Sequence, residues 1–429
     1  MIEIKSIQNK RMVAAIISIL IFMLLAGCAD RKRTNPLDPQ NPKTHGKPQH
    51  LRVYSELNHV YLSWNPVNLD DLRGYRIYRK AEKDVDFTPI HDVPPDSALF
   101  VDKNVTYNTR YTYQLTILGE DFETEPSDSD SIIPGPTTIW VGDVYDRHIF
   151  KLSHDCAHEI FHLPISGYPW ALALEKKQNQ MWLTDVLFNE IVRVDLANLQ
   201  QVAIGRFYYG DPVDIEIDET NDLVWVADED SGVVHIYSIN GLQLKELPGF
   251  QRISDIACYF TDGSCWVIDS GQKKLFSVRK DFRITKATLE LQYPFRCAVN
   301  QNDGALWLLD DNKLLKLNLL GKLEFAVEYQ FNDPYDIAVD SENGRVWILD
   351  WYDGANNSRL ICLSSDGEKI WDRSGFTYPE NVIGNPDDHG CIIADTGNGR
   401  VVKITDDGDV FGEIDGFYYP YGLVVDKER

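Results

Sequence analysis

From residue 139 onward, short apolar runs alternate with polar turns, and the alternation repeats. One phrase of the repeat is an apolar run ending in Asp, first as Ile139-Trp140-Val141-Gly142-Asp143. Its Asp returns at Asp185, Asp228, Asp269, Asp310, Asp350 and Asp395, in steps of 40 to 45 residues. Trp stands three residues before it at Trp140, Trp182, Trp225, Trp266, Trp307 and Trp347, and Ile392 takes that place in the last copy. The second phrase is an aromatic-Pro step into another apolar run. It reads Tyr168-Pro169-Trp170-Ala171-Leu172 and recurs clearly around Pro334-Tyr335 and Pro420-Tyr421. In the third copy, 223–228 reads as a strand, 229–232 as a turn and 233–237 as the next strand. Asn240-Gly241 is then a tight-turn pair, and 242–247 supplies an outer strand. A period of this length suits four short strands, one blade of a β-propeller.

Both phrases occur seven times, which predicts seven blades in an all-β chain. The first Asp phrase has no aromatic-Pro strand before it, and the last aromatic-Pro strand has no Asp phrase after it. The two fragments complete one blade, so the C-terminal strand is expected to enter the blade begun at residue 139. That closure pairs two strand edges that would otherwise be open to aggregation. The recurring Trp reads as packing between blades. The recurring Asp reads as a turn former that hydrogen-bonds nearby amides.

Residues 48–136 show a different pattern: alternating strands separated by turn clusters, the signal of a β-sandwich. The run 60–66 offers a strand with an inward Trp64, 70–74 a turn and 75–79 another strand. Phe100-Val101-Asp102 precedes a strand that holds Tyr111, and the turn cluster 123–128 follows. These landmarks in this order resemble a fibronectin type III domain, with Trp64 as the core Trp and Tyr111 as the tyrosine-corner residue. The resemblance implies a spacer or protein-binding module. In the seventh copy, Ala394-Asp395-Thr396-Gly397-Asn398-Gly399-Arg400-Val401-Val402 resembles an NHL-type repeat, and that likeness extends over 139–426. It implies architecture more than activity.

At the N-terminus, Lys5, Lys10 and Arg11 precede an apolar, uncharged stretch 12–25, and Leu25-Ala26-Gly27-Cys28 follows. This is the form of a secretory signal and not of a spanning helix. The Cys after Ala-Gly resembles the lipobox of bacterial lipoproteins, which implies a signal peptide over 1–27 and lipidation at Cys28. Several acyl chains on one Cys attach a protein stably to a membrane. Residues 28–47 are polar, contain Pro36, Pro39 and Pro42, and read as a flexible tether. The domain expectation is therefore 1–27 signal, 28–47 tether, 48–136 fibronectin-like and 137–429 propeller.

Composition narrows the partners. The 429 residues are 43% hydrophobic and carry a net charge of −24. Removal of 1–27 leaves 39 basic and 65 acidic residues. Such a field argues against a nucleic-acid partner, which needs basic surface to neutralise phosphates. It is compatible with cationic or calcium-bound partners. Among the seven Cys, Cys258 and Cys265 flank the turn 259–264 and are placed to pair across a hairpin in an oxidising compartment. Cys156, Cys297, Cys362 and Cys391 lie in different copies and read as small buried side chains.

The candidate site lies where the repeats differ. In a propeller the innermost strand lines the channel, and its first residues sit at one mouth. Two residues after Pro, or at the equivalent place, the chain carries Ala171, Asp214, Asp255, Arg296, Asp336, Asn381 and Gly422. Trp170, Phe295, Tyr335 and Tyr421 follow the Pro directly, and Tyr209, Tyr293, Tyr378 and Tyr419 precede it. A polar funnel with an aromatic rim is expected there, suited to a sugar, a peptide or a cation. The expected protein is a lipid-anchored component of the bacterial cell envelope that presents a propeller to a protein or glycan partner. The alternative is a calcium-dependent, lactonase-like hydrolase or lyase at the mouth, with Asp214, Asp255, Asp336 and Asn381 around the ion. Arg296 among them opposes a divalent cation. No catalytic residues are assigned: the ten His do not recur at channel positions, and no Gly-Xaa-Ser-Xaa-Gly elbow or phosphate-binding loop occurs. Calcium apart, no cofactor is expected.

Overall fold

The computed structural model describes residues 35–41, 44–56, 58–68, 72–207, 210–327, 329–351 and 357–427. The expected signal segment, Cys28 and Tyr209 lie outside them. Over the described residues the chain is almost wholly β, interrupted by a single 3-10 turn at Thr396–Asn398. Contacts divide it into two compact units: most of the chain before Ile132 forms the first, and Ile132 onward, with 54–61 and 101–110, forms the second.

Residues 49–132 form two small antiparallel sheets. One joins Gln49–Glu56, His59–Asn65 and Leu99–Asp102; the other runs Thr88–Val93, Gly74–Ala81, Tyr111–Leu118, Asp130–Ile132. The alternation read from the sequence is visible in burial: Val60, Leu62 and Trp64 point inward, as do Tyr113, Leu115 and Ile117. Trp64 packs on Tyr75 with ring centres 5.3 Å apart. The described part of the expected tether is not featureless. Asn41 is buried and donates from Nδ2 to the Asn35 carbonyl (2.9 Å), while the His45 amide donates to the Asn41 carbonyl (2.9 Å). Side-chain bonds of this kind hold turns without a core.

The larger unit is a β-propeller of four-stranded antiparallel sheets, seven of them among the described residues. The innermost strands are Pro169–Glu175, Pro212–Asp218, Ile253–Tyr259, Pro294–Val299, Asp333–Val339 and Asn381–Gly384 in the second to seventh sheets. The C-terminal strand Pro420–Lys427 takes the inner place in the first sheet, paired with Thr137–Asp143. Among the described residues, apolar clusters lie between neighbouring sheets. One joins Trp225 and Val234 of the third sheet to Ile256 and Val267 of the fourth; another joins Ile392 and Val401 of the seventh to Ile139 and Val141 of the first. Trp140, Trp182, Trp225, Trp266, Trp307 and Trp347 are all buried. Cys258 and Cys265 lie directly opposite each other in the fourth sheet and are joined as a disulfide. Cys156, Cys297, Cys362 and Cys391 are free and buried.

The repeated Asp has a local structural job. It ends the second strand of each sheet and accepts the amides of the loop that leads into that sheet's inner strand. Asp310 takes the Gln292 and Tyr293 amides (2.8 and 2.7 Å), and Asp350 takes those of Asn332 and Asp333 (both 2.9 Å). In the first sheet Asp143 does the same for Tyr418 and Tyr419 across the join of the chain ends (2.6 and 2.9 Å). Gly210 occupies one of these loops because a Cβ there would run into the Asp228 carboxylate. Each clasp fixes where its inner strand begins.

Candidate functional site

Pairing between the first and second strands of the sheets slips just after the Pro. The register shifts between Pro212 and Asp214, Ile253 and Asp255, Pro294 and Cys297, and Pro334 and Asp336. Such bulges re-aim side chains at sheet ends. Their effect here is to separate neighbouring residues onto two surfaces. Asp255, Cys297 and Asp336 line a central channel cavity of about 330 Å³, whereas Ser254, Phe295 and Tyr335 line a cleft of about 460 Å³ beside the mouth.

At the channel positions the Asp side chains bridge successive sheets. The Ile256 amide donates to Asp214 Oδ2 (3.1 Å), the Cys297 amide to Asp255 Oδ2 (2.7 Å) and the Val382 amide to Asp336 Oδ2 (2.8 Å). In each case the amide lies one residue past the equivalent position of the next inner strand. Arg296 cannot accept an amide and does something else. Its Nη1 donates to Asp255 Oδ1 (3.1 Å) and the Ser254 carbonyl (3.0 Å), its Nη2 donates to the Tyr421 hydroxyl (3.1 Å), and its Nε lies 3.8 Å from Asp336 Oδ1. Its guanidinium also sits over the Phe295 ring, 4.9 Å from the centre.

Burial governs the electrostatics. It raises the pKa of Asp214 and Asp255, while Arg296 pulls the other way. For Asp336 burial wins over Arg296, and the pKa is pushed up to about 6. Burial works against the Arg296 charge, but Tyr421, Asp255, Asp336 and Asp214 outweigh it and hold the group firmly protonated. Deeper in the channel, Glu216 is raised well above the usual carboxylate range by burial and by Asp214 and Asp255.

The structure thus brings Asp255, Arg296, Asp336 and Tyr421 into one network, with Asp214 beside it. Asn381 lines the same channel, but its Oδ1 is buried without a hydrogen bond. The open funnel expected of these positions is a braced neck: the polar groups are engaged with one another and with backbone amides. Calcium does not fit this donor set. Each Asp already uses one oxygen on an amide, a guanidinium stands among them, and among the described residues no group of three or more His, Cys, Asp or Glu is placed to hold an ion.

The expected aromatic rim is present but mostly turned on itself. Trp170 stacks on Tyr421 (3.9 Å), Phe295 lies 5.6 Å from Tyr335, and Tyr335 stacks on Trp351 (3.9 Å, 8°). Tyr293 and Tyr378 remain 64% and 45% exposed. Glu380 accepts the Tyr335 and Tyr419 hydroxyls (2.6 and 3.1 Å), and the Trp351 indole donates to the Pro379 carbonyl (2.8 Å). Burial raises the Glu380 pKa against those two hydroxyls.

Sequence reasoning missed Glu216, Ser254, Trp351 and Glu380. Two carried a visible signal. Ser254 and Glu380 occupy the place where four other copies have an aromatic residue, and both are polar exceptions. Trp351 directly follows a repeated Asp. Nothing in the pattern marked Glu216, which sits mid-strand.

No known protein family and no curated protein sequence matches the chain. Solved structures match in fold. A streptogramin B lyase is 17% identical, with a TM-score of 0.51 over 59% of this chain and 86% of its own. Virginiamycin B lyase from Staphylococcus aureus is 12% identical, with a TM-score of 0.51 over 65% and 89%. A Bacteroides fragilis protein provisionally assigned as a 6-phosphogluconolactonase is 10% identical, with a TM-score of 0.56 over 68% and 98%. At such identities the likeness is one of fold, the β-propeller.

Proposed function

We propose that this chain is a lipid-anchored protein of the bacterial cell envelope whose propeller binds a protein partner at the channel-mouth face. A fibronectin type III module over about 48–136 carries a seven-bladed propeller over 137–429, and Cys28 holds the whole to the membrane. Sheets of three and four strands in the smaller unit support the first assignment. Seven four-stranded sheets, with the C-terminal strand in the first, support the second. The lipid anchor rests on the lipobox resemblance.

The observation that carries binding over catalysis is Arg296. A lactonase-like enzyme needs an open ring of carboxylates for calcium, and this guanidinium occupies that ring in ion pair with Asp255. What faces outward instead is a cleft bordered by exposed Tyr and by carboxylates, a surface suited to recognition. A glycan partner is disfavoured because the broad ring faces of Trp170, Tyr335 and Trp351 cover or are covered by other rings.

The test is a photo-crosslinking amino acid at Tyr293 in the native cell envelope. A discrete protein adduct, absent when the crosslinker stands at Glu368 on a distant turn, is expected. Calcium-dependent turnover of a lactone or ester by the purified protein, with no adduct, would instead restore the enzyme alternative. Palmitate labelling that persists in a Cys28→Ser variant would remove the anchor.

A further inference from the structure

We infer that the cleft beside the channel mouth receives a lysine or arginine side chain of the partner polypeptide, a proposal that rests on the binding reading above. The cleft, about 460 Å³, is within the range that holds a small ligand group. Ser254 lines it, is only 9% exposed, and its hydroxyl hydrogen-bonds nothing in the protein. A buried hydroxyl left without a partner is costly, and a group that enters the cleft and donates to it would remove that cost.

The remaining lining says what kind of group. Glu229, Asp311 and Asp333 supply carboxylates, and the cationic lining residue, Arg252, is already engaged with Glu229. Burial, then the nearby Asp350, raises the Asp333 pKa, a shift that a cation entering the cleft would oppose. Phe295, Tyr335 and Trp351 add apolar walls against which the methylene stem of a lysine or arginine can pack. At the rim, Lys273 Nζ lies 4.1 Å from the centre of the Tyr293 ring, a cation already held against an aromatic face. A sugar is less well served, since Tyr335 and Trp351 stack on each other at 3.9 Å and 8°. The flanking Tyr293 and Tyr378, 64% and 45% exposed, offer contact area that a free amine cannot reach but a polypeptide can. The overall charge of −24 would draw a basic segment in from a distance.

The experiment is calorimetric titration of the purified chain with tri-lysine, its tri-norleucine counterpart, cadaverine and a neutral oligosaccharide. Tri-lysine should bind, tri-norleucine should not, and cadaverine should bind at least tenfold more weakly. An Asp311→Asn/Asp333→Asn double variant should lose tenfold or more of the tri-lysine affinity. A control pair far from the cleft, Asp366→Asn/Glu368→Gln, should stay within twofold. Ser254→Ala should weaken binding severalfold while the unfolding midpoint stays or rises, a combination that a merely structural hydroxyl would not give. Equal losses in the cleft and control pairs would reduce the effect to general charge attraction. Equal affinity for cadaverine would make this a small-amine site, and competition by the oligosaccharide would make it a glycan site; either overturns the proposal. If the Tyr293 crosslink persists in the double variant, the cation reading falls and the binding reading stands. If no crosslink forms at all, the binding reading itself falls.

Discussion

The carboxylates that repeat and the carboxylates that vary stand on adjacent strands at the same end of a sheet, as Asp350 and Asp336 do, and both accept backbone amides. They do so across different boundaries. Asp350 holds the amides of Asn332 and Asp333 within its own sheet, whereas Asp336, a few residues later in space, reaches the Val382 amide of the next sheet. The first kind builds a blade, and every copy needs it. The second kind ties neighbouring blades at the channel, and only some copies have it. Where the fifth sheet places Arg296 instead of an Asp, the tie is replaced by a guanidinium that gathers Asp255, Asp336 and Tyr421. Uniform positions therefore report construction, and the exceptions report what is particular to this protein.

The largest effect is expected at the exception. Arg296→Met removes the only cation of a buried network and leaves Asp255 and Asp336 uncompensated, with a loss of about 3–5 kcal/mol in urea unfolding. If stability is unchanged, the braced neck does not hold the channel together. Next comes a clasp. Asp350→Asn weakens two charge-assisted amide bonds and the pair with Arg359 (2.7 Å), with an expected loss of about 2–3 kcal/mol. The same change at Asp310, which accepts two amides and no Arg among its hydrogen bonds, should cost less. Equal costs at both would mean that Arg359 adds nothing beyond the clasp.

The smallest effect is a pH dependence at Asp211, in a loop held by the Asp228 clasp (2.9 Å). Burial, then Glu229, Asp230 and Asp228, push its pKa up to about 6. The folded protein therefore binds this proton more tightly than the unfolded chain, whose Asp titrates near about 3.9. The stabilising contribution is complete below that value and is lost as pH rises through about 6. Asp211→Asn should then match the parent near pH 4 and exceed it near pH 7, by about 1 kcal/mol or less because the site is partly exposed to screening solvent. A difference that does not change between those pH values, measured by denaturant midpoints, would show that Asp211 does not titrate in this window. Asp336, also raised to about 6, keeps a residual slope of the same sign in the variant.

Much of the architecture was legible before any coordinates. The Trp of six copies and the Asp of all seven recur because every sheet must bury one face against its neighbour and end its second strand on a clasp. Both demands are local and identical from copy to copy, so they leave a period in the sequence. The channel positions were legible as locations, since they are counted from the Pro. Their partners were not. Arg296 and Tyr421 are separated by 125 residues yet meet at 3.1 Å, a contact that no period announces. The rim aromatics read as free recognition surface, but Tyr335 and Trp351 cover each other. The described residues of the expected tether carried no apolar signature because their turns are closed by polar side chains, Asn41 Nδ2 donating to the Asn35 carbonyl and the Thr44 hydroxyl to the Pro36 carbonyl.

By itself, then, the sequence determined the β-propeller, the place of each inner strand and the positions at which copies depart from the repeat. Tertiary structure alone decided that those departures form a plugged neck and a side cleft instead of an open ring. The reason is physical. A repeat records interactions that each unit makes with its equivalent neighbour, while the bulge after Pro sends adjacent residues to two surfaces, and the ring brings together residues from sheets far apart in the chain. Which of those residues neutralise one another, and which, like Ser254, are left waiting for a partner, depends on distances that exist only once the sheets stand around the channel.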